Sequence, residues 1–237
     1  MRLVCAIAVV VMIAGRLSGD VIEQKSEQRF CLKSFIIPAI LVGYGVVGIE
    51  SDNLKLYNAE IKEEVNEHID EKFTIDDISQ YTPFVSVYVL DAFGVKGEHN
   101  FKDRTLILGG AYLIMGTTVL SLKHFISVER PDKTTWNSFP SGHTATAFMG
   151  AEFVYQEFKD VSIWYGVTAY CIAAGTGLFR MYNDRHWLTD VSAGAGFGIL
   201  STRLAYMLYD KWRPSASYQV LPAIDNNQYG LRFHVSF

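Results

Sequence analysis

Charged residues are scarce in this sequence, and neither sign of charge dominates. They make up 19% of the 237 residues, against roughly 25% in ordinary soluble domains, while hydrophobic residues make up 49%. Such a composition excludes a largely disordered chain. The net charge of −4 gives no electrostatic reason to expect a nucleic-acid partner.

Cysteines are also few, and the common metal-ligand spacings do not occur. Of the three cysteines, Cys5 lies near the N-terminus and Cys171 lies inside an apolar run, which leaves Cys31 without an evident partner. The sequence therefore predicts no disulfide framework. Neither CxxC nor HExxH is present, so these motifs give no indication of a metal site.

Apolar segments are abundant instead, and the first of them is at the N-terminus. Residues 3–15 follow Arg2 and have the length of a signal-peptide core. Arg16 and Leu17 are poor residues for a cleavage region, so residues 1–19 are expected to be either a signal peptide or an uncleaved N-terminal anchor. Either one predicts that the chain enters an export pathway.

Longer apolar stretches occupy residues 32–49, 105–122, 161–179 and 187–208, and a weaker one occupies 141–158. Runs of about 18 residues approach the length that crosses a bilayer, which favours membrane helices. The modest mean hydropathy of +0.13 would also suit the core helices of a soluble protein. We predict an all-α fold, a bundle of about six helices embedded in a membrane, whose small residues allow close helix contacts.

Two segments depart from this pattern. Residues 50–77 are acidic with apolar positions spaced for a surface helix, and their carboxylates are expected to form a solvated face. The C-terminal segment has two short apolar runs on either side of Asp225-Asn226-Asn227, which predicts an irregular or hairpin tail over residues 214–237. The helical domain is accordingly predicted over residues 20–213.

Three polar clusters stand at the ends of the apolar stretches. The first contains Lys123 and, seven positions later, Arg130. Each cation alone would be an ordinary helix-end or loop charge. As a pair, a compact ammonium and a planar guanidinium suit the oxygens of a phosphate group.

The second cluster is Pro140-Ser141-Gly142-His143, at the expected start of a helix. The free N–H groups of a helix start attract anions, and a glycine there lets the backbone approach a ligand closely. Ser141 would either contribute to this anion site or only cap the helix. His143 is placed to donate a proton to a leaving oxygen.

The third cluster joins Arg180, at the end of an apolar stretch, to His186 and Asp190. The last two residues are four positions apart and therefore share one face of a helix. A carboxylate beside an imidazole fixes its tautomer and stabilises its cation, which frees the other ring nitrogen for nucleophilic attack.

Together these clusters resemble the superfamily of type 2 phosphatidic-acid phosphatases, bacterial acid phosphatases and vanadium haloperoxidases. Its signature is K-x6-R-P, then P-S-G-H, then S-R-x5-H-x3-D, and the sequence matches it from Lys123 to Asp190. The resemblance covers about residues 84–209, the signature core of the domain. One residue departs from the pattern, because Phe179 stands where the signature has Ser before the arginine.

The resemblance implies a role for each matched residue. His186 would be the nucleophile that forms a phosphohistidine, with Asp190 orienting it, and His143 would protonate the leaving alcohol and then activate water. The residues implied to bind the phosphoryl oxygens are Lys123, Arg130, Ser141, Gly142 and Arg180. The family needs no metal and no other cofactor for phosphate hydrolysis.

The expected function is therefore a metal-independent phosphatase acting on a phosphomonoester or pyrophosphate, with a phosphorylated lipid as substrate and membrane lipids as neighbours. The alternatives are a soluble exported acid phosphatase of broad specificity, a vanadate-dependent haloperoxidase and a non-catalytic membrane protein. Lys96, Lys102 and Arg104 favour an inner side before residues 105–122, so the site is expected to face the outer, periplasmic or extracellular side.

Overall fold

The computed structural model describes residues 32–66, 74–212, 217–225 and 228–236, so the leader predicted at residues 1–19 lies outside the described part. After a short 3₁₀ turn, Leu32–Phe35, the α-helices are α1 (Ile36–Glu50), α2 (Asp52–Asn66), α3 (Asp76–Ser79), α4 (Thr82–Ala92), α5 (Phe101–Phe125), α6 (Gly142–Phe158), α7 (Ile163–Tyr182) and α8 (Leu188–Trp212). The predicted helical bundle is confirmed. The described residues form eight α-helices rather than about six, because the region between α1 and α5 adds α2, which is as long as α1, and the shorter α3 and α4.

Local sequence signals fix where the long helices begin. Asn100 caps α5 by accepting a 3.0 Å hydrogen bond from the backbone N–H of Asp103. Ser141 and Ser162 serve α6 and α7 in the same way, as their side-chain oxygens accept from N–H groups of the first turn. Side-chain caps of this type satisfy donors that a helix start would otherwise leave unpaired.

Helices α6 and α8 form the centre of the bundle. α6 packs against α4, α7 and α8, and α8 also packs against α1 and α5. Small residues make these approaches possible: a Cβ added to Gly194 would lie 2.5 Å from the carbonyl oxygen of Ser141, and one added to Gly196 would lie 2.6 Å from that of Pro38. The close helix contacts predicted from the small residues are therefore confirmed.

Two of the apolar stretches form helices that are long and apolar enough to cross a membrane, Lys33–Glu50 and Phe101–Phe125. Only 17% and 22% of these windows are buried within the protein. The face of α5 that packs inward consists of Ile107, Ala111, Met115 and Val119. The stretches predicted at 161–179 and 187–208 form α7 and α8, and α8 is largely enclosed by the other helices.

A buried ionic network marks the end of the bundle where α5 begins and α6 ends. Glu157 accepts hydrogen bonds from the hydroxyl of Tyr206 at 2.7 Å and from the backbone N–H of His99 at 3.1 Å. Arg104 is buried here, donates to the carbonyl oxygen of His99 and lies 3.5 Å from Asp91. Arg104 is therefore a buried and paired structural charge.

The tail forms a two-stranded antiparallel sheet. β1 (Ser217–Asp225) pairs with β2 (Gln228–Ser236) in a register that runs from Ser217 opposite Ser236 to Asp225 opposite Gln228. The hairpin predicted around residue 225 is confirmed.

Candidate active site

The helix order brings the three polar clusters to the opposite end of the bundle. α5 and α7 end there, and α6 and α8 begin there. The backbone N–H of Ser141 donates to the carbonyl oxygen of Asp190 at 3.1 Å, which joins the starts of α6 and α8. The ammonium of Lys123, in the last turn of α5, donates to the carbonyl oxygen of Asn137 at 2.6 Å. The first and third clusters therefore both contact the segment that carries the second.

Hydrogen bonds also hold the two loops of the site against each other. The indole N–H of Trp187 donates to the carbonyl oxygen of Glu129 at 2.8 Å, which ties the loop after α7 to the loop after α5. Within the loop after α7, the carbonyl oxygen of Arg180 accepts from the N–H groups of Arg185 at 2.9 Å and His186 at 3.3 Å. This double contact sets the position of His186 relative to Arg180.

Asp190 lies in the first turn of α8, beside His186. Its Oδ2 is 3.7 Å from Nδ1 of His186, which is within ion-pair range but longer than a hydrogen bond. The same oxygen accepts from the hydroxyl of Ser138 at 2.5 Å and from the backbone N–H of Trp187 at 2.9 Å. The Ser138 hydroxyl is also 3.4 Å from Nδ1 of His186. Nδ1 is thus turned towards Ser138 and Asp190, which leaves Nε2 for contact with a ligand.

Burial keeps the imidazole of His186 neutral. The side chain is almost fully buried, and its loss of hydration lowers the pKa of His186 to about 4. The Asp190 carboxylate acts in the opposite direction, while the charges of Lys123 and Arg180 add to the lowering. A neutral imidazole beside two cations is the form that a nucleophilic histidine requires.

Two neighbouring guanidinium groups in the site have unused donors. The Nε atoms of Arg130 and Arg180 are buried and have no hydrogen-bond partner among the described residues. The pKa of Arg130 is lowered by burial and by the neighbouring charge of Arg180. Because buried donors are rarely left unsatisfied, two of them in one site suit an anionic ligand.

Ser141 and Gly142, at the start of α6, have different structural roles. Ser141 is fully buried, and its hydroxyl lies 2.8 Å from that of Thr144 and accepts from the Thr144 N–H at 3.4 Å, so it caps α6. Gly142 follows as the first residue of the helix. A Cβ added there would meet Val119 at 3.8 Å, an ordinary contact, so protein packing alone does not require glycine at this position.

α3 places two carboxylates against the site. Nε2 of His143 lies 2.8 Å from Oδ1 of Asp77, and the guanidinium of Arg180 pairs with Asp76 and lies 3.8 Å from the same Asp77 oxygen. Asp76 also accepts from the side-chain amide of Asn183 at 2.9 Å. Burial and Arg180 lower the pKa of His143, and the two carboxylates oppose that effect.

The solvated face predicted for the acidic segment is wrong for Asp76, which is 1% exposed. Its contact with Arg180 joins residues 104 positions apart, and no local spacing indicates such a contact. Ser138 was not predicted as a site residue either, although it lies only two residues before the Pro140-Ser141-Gly142-His143 motif.

Phe179, the residue that departs from the family signature, packs edge-on against the ring of Tyr182.

Asp76, Asp77 and His143 also bring three potential metal-ligand atoms within 4.8 Å of one another. Arg180 lies against both carboxylates and already supplies the compensating positive charge. A divalent cation would be repelled by that guanidinium, so the arrangement favours an ion-pair network over a metal site.

The fold and the site together define a helical bundle whose three polar clusters meet at the ends of four helices. Residues 104–214 match the model of the PAP2 superfamily, and this segment contains all the residues predicted for catalysis and phosphate binding. The family resemblance predicted from the sequence is confirmed over this segment.

A curated relative is the lipid A 1-phosphatase of Porphyromonas gingivalis, which is 41% identical over 139 residues. The match covers 57% of this chain and 31% of the relative, so the chain spans about a third of the length of that protein.

Two solved structures share the fold. Aquifex aeolicus LpxE has a TM-score of 0.50 at 24% identity, over 64% of this chain and 95% of its own. A transmembrane PAP2-type phosphatidylglycerolphosphate phosphatase of Bacillus subtilis has a TM-score of 0.51 at 19% identity, over 76% of this chain and 98% of its own. At these identities the likeness concerns the fold alone.

Proposed function

We propose that this protein is a phosphatase that hydrolyses a phosphomonoester or pyrophosphate of a lipid, without a metal ion and through a phosphohistidine intermediate. The observation that carries the proposal is the pair of buried Nε donors on the neighbouring Arg130 and Arg180, together with the neutral imidazole of His186, whose pKa the charge of Arg180 helps to lower. Phosphoryl oxygens accept from such donors, and a guanidinium group binds them with two parallel hydrogen bonds.

In the proposed reaction Nε2 of His186 attacks phosphorus, so that a P–N bond forms while the P–O bond to the alcohol breaks. His143 gives a proton to the leaving oxygen and then takes one from the water that cleaves the phosphohistidine. Lys123, Arg130 and Arg180 hold the phosphoryl oxygens and stabilise the charge of the transition state. Preorganised charge stabilisation of this kind is usually the largest catalytic contribution.

The start of α6 completes the proposed phosphate site. The N–H groups of its first turn, beginning at Gly142, present partial positive charge to an anion. Ser141 supports this arrangement because its cap fixes where the helix begins.

The outer face of α5 supports a membrane location and a lipid substrate. Leu106, Leu113 and Leu120 are spaced seven residues apart on one face, and each is 68 or 69% exposed. The row extends over about 21 Å at the rise of an α-helix, most of the hydrocarbon thickness of a bilayer. It ends one turn before Lys123, so a phosphate head group at the membrane surface would reach the site while its acyl chains remained in the bilayer.

Exposed aromatic residues lie at both ends of the helical bundle. Phe125 and Trp136 are exposed at the end that carries the site, and Trp164 and Trp212 are exposed at the other end. Aromatic residues in two such positions are typical of the two interfaces of a membrane protein. The name of the similar protein of Porphyromonas gingivalis, a lipid A 1-phosphatase, adds support for a lipid phosphate.

The proposed orientation places the site on the outer side of the membrane. Lys96 and Lys102 are exposed at the end of the bundle away from the site, and cations in such segments favour the cytoplasmic side. Lys96 pairs with Asp91 at 3.2 Å but its side chain stays exposed, whereas the buried Arg104 is left out of this argument.

The experiment that tests the function is phosphate release by the purified protein in detergent micelles with EDTA present. The panel contains phosphatidate, phosphatidylglycerolphosphate, a 1-phosphorylated lipid A, a lipid pyrophosphate and p-nitrophenyl phosphate, with His186→Ala as the control. We expect release from at least one lipid and none from the variant. Activity confined to the soluble aryl phosphate would favour the broad-specificity acid phosphatase, and activity that EDTA abolishes and a metal restores would overturn the metal-free proposal.

A further inference from the structure

The carboxylate of Asp77 meets the ring of His143 at the edge of the site. Asp77 Oδ1 is 2.8 Å from Nε2 of His143, a hydrogen-bond distance between two partly exposed side chains. A ring nitrogen that faces a carboxylate carries the hydrogen atom. The other nitrogen, Nδ1, is then the one that can exchange a proton with a leaving oxygen or with water.

The short helix that carries Asp77 is fixed to the rest of the site. Asp76, the preceding residue, is buried in its ion pair with Arg180. At the other end of α3 the hydroxyl of Ser79 lies 2.8 Å from that of Thr176 on α7. The position of Asp77 is therefore set by two contacts with α7, one on each side of it.

The charged groups that act on His143 come from two elements. Arg180 on α7 and burial both disfavour the imidazolium, while Asp77 and Asp76 on α3 favour it. A general acid must be protonated at the start of its step, so the two carboxylates act in the direction that the proposed chemistry needs.

We propose that Asp77 is a positioning residue for His143, the proposed general acid. Asp77 and His143 would then form an Asp–His pair, as Asp190 and His186 do for the proposed nucleophile. The inference rests on the proposed function, since it assigns a role within the same reaction. The Asp77 carboxylate orients the ring and stabilises its imidazolium form, and it does not itself touch the reacting atoms.

The test replaces Asp77 by Asn, which keeps the size and one acceptor oxygen but removes the charge. The matched control is Asp52→Asn, an exposed carboxylate at the start of α2 that pairs with Lys55 at 3.7 Å. The pKa of His143 is measured by NMR titration of the purified protein in micelles, without substrate. We expect it to fall in Asp77→Asn and to stay unchanged in the control, because the pull of Arg180 is then less opposed.

Kinetics supply the second readout. In Asp77→Asn we expect kcat/KM for an alkyl phosphate to fall about tenfold, as for loss of a partly exposed charged hydrogen bond, and the alkaline limb of its pH profile to move to lower pH. The loss for p-nitrophenyl phosphate should be smaller, because that leaving group needs little protonation. In a His143→Ala background, adding Asp77→Asn should change nothing further.

Each contrary result has a distinct meaning. If the wild-type protein hydrolyses no phosphomonoester, the proposed function fails, whatever the NMR titration shows. If the wild type is active but Asp77→Asn leaves both the titration and the pH profile unchanged, the inference alone is wrong. A rise in activity would also overturn it, since Asp77 would then act as an internal competitor for the anion site. Losses that persist unchanged in the His143→Ala background would indicate a general structural effect.

Discussion

The hydroxyl of Ser138 lies 2.5 Å from Oδ2 of Asp190, although the two residues are 52 positions apart in the sequence. Asp190 Oδ2 accepts from the backbone N–H of Trp187 as well, so the carboxylate is held from two sides. Since Asp190 is 3.7 Å from the His186 ring, its direction is set by these donors and not by the imidazole. Ser138 is thus one of the groups that fix the carboxylate beside His186, the proposed nucleophile.

Replacing Ser138 by Ala should loosen the Asp190 carboxylate without removing any reacting group. We expect kcat/KM to fall about tenfold for alkyl and aryl phosphates alike, the effect of losing one hydrogen bond to a charged acceptor. The control is Ser201→Ala, another buried serine, whose hydroxyl bonds within α8 to the carbonyl oxygen of Phe197. Equal losses in the two variants would show that the effect is one of folding.

The two histidines should differ in how they respond to the leaving group. His186→Ala should abolish turnover of every substrate, because no phosphoenzyme can form. His143→Ala should reduce the rate for alkyl phosphates by ~10² to 10⁴-fold, the usual range for general acid catalysis, and less for p-nitrophenyl phosphate. Rapid quench with radiolabelled substrate should give acid-labile, base-stable label on His186, and label found on His143 instead would reverse the assignment.

The pH dependence of kcat/KM should be bell-shaped with an acidic optimum. The nucleophile must be neutral, so the rate rises as the pH passes upward through the His186 pKa of about 4. The general acid must be protonated, so the rate falls as the pH passes upward through the pKa of His143, which lies below its ordinary value of 6.5. Profiles should be measured with an aryl phosphate and an alkyl phosphate, and an optimum above pH 7 would contradict these assignments.

Much of this site could be predicted because its spacing is local and its helix order is simple. Lys123 and His143 flank one loop and Arg130 lies within it, and any antiparallel arrangement of α5 to α8 returns Arg180 and His186 to the same end. The partners Asp76 and Asp77 could not be predicted, since they come from a four-residue helix in a segment whose composition indicates a solvated surface. The predicted number of helices was too low because α3 and α4 are short and follow polar turns, so they show little periodicity in the sequence.

Gly142→Ala tests whether the helix start binds the anion. An added methyl group would meet only Val119 in ordinary contact, so the thermal unfolding midpoint should be kept. If a phosphoryl group approaches the backbone there, the methyl group would obstruct it and raise the inhibition constant of vanadate by about tenfold, a loss of roughly 1.4 kcal/mol of binding. The control is Gly116→Ala on α5, where an added Cβ meets nothing, and an unchanged constant in both variants would exclude close approach at Gly142.

The orientation of the site can be tested by labelling engineered cysteines from outside the cell. Thr135 is exposed in the loop before α6, beside the site, and Asp160 is exposed in the turn after α6, at the other end of the bundle. In a background with Cys5, Cys31 and Cys171 replaced by Ser, we expect an impermeant reagent to label Thr135→Cys in intact cells and Asp160→Cys only after lysis. The reverse pattern would place the chemistry on the inner side. Equal labelling of both positions in intact cells would contradict a bundle that spans the membrane, because residues at its two ends would then share one compartment.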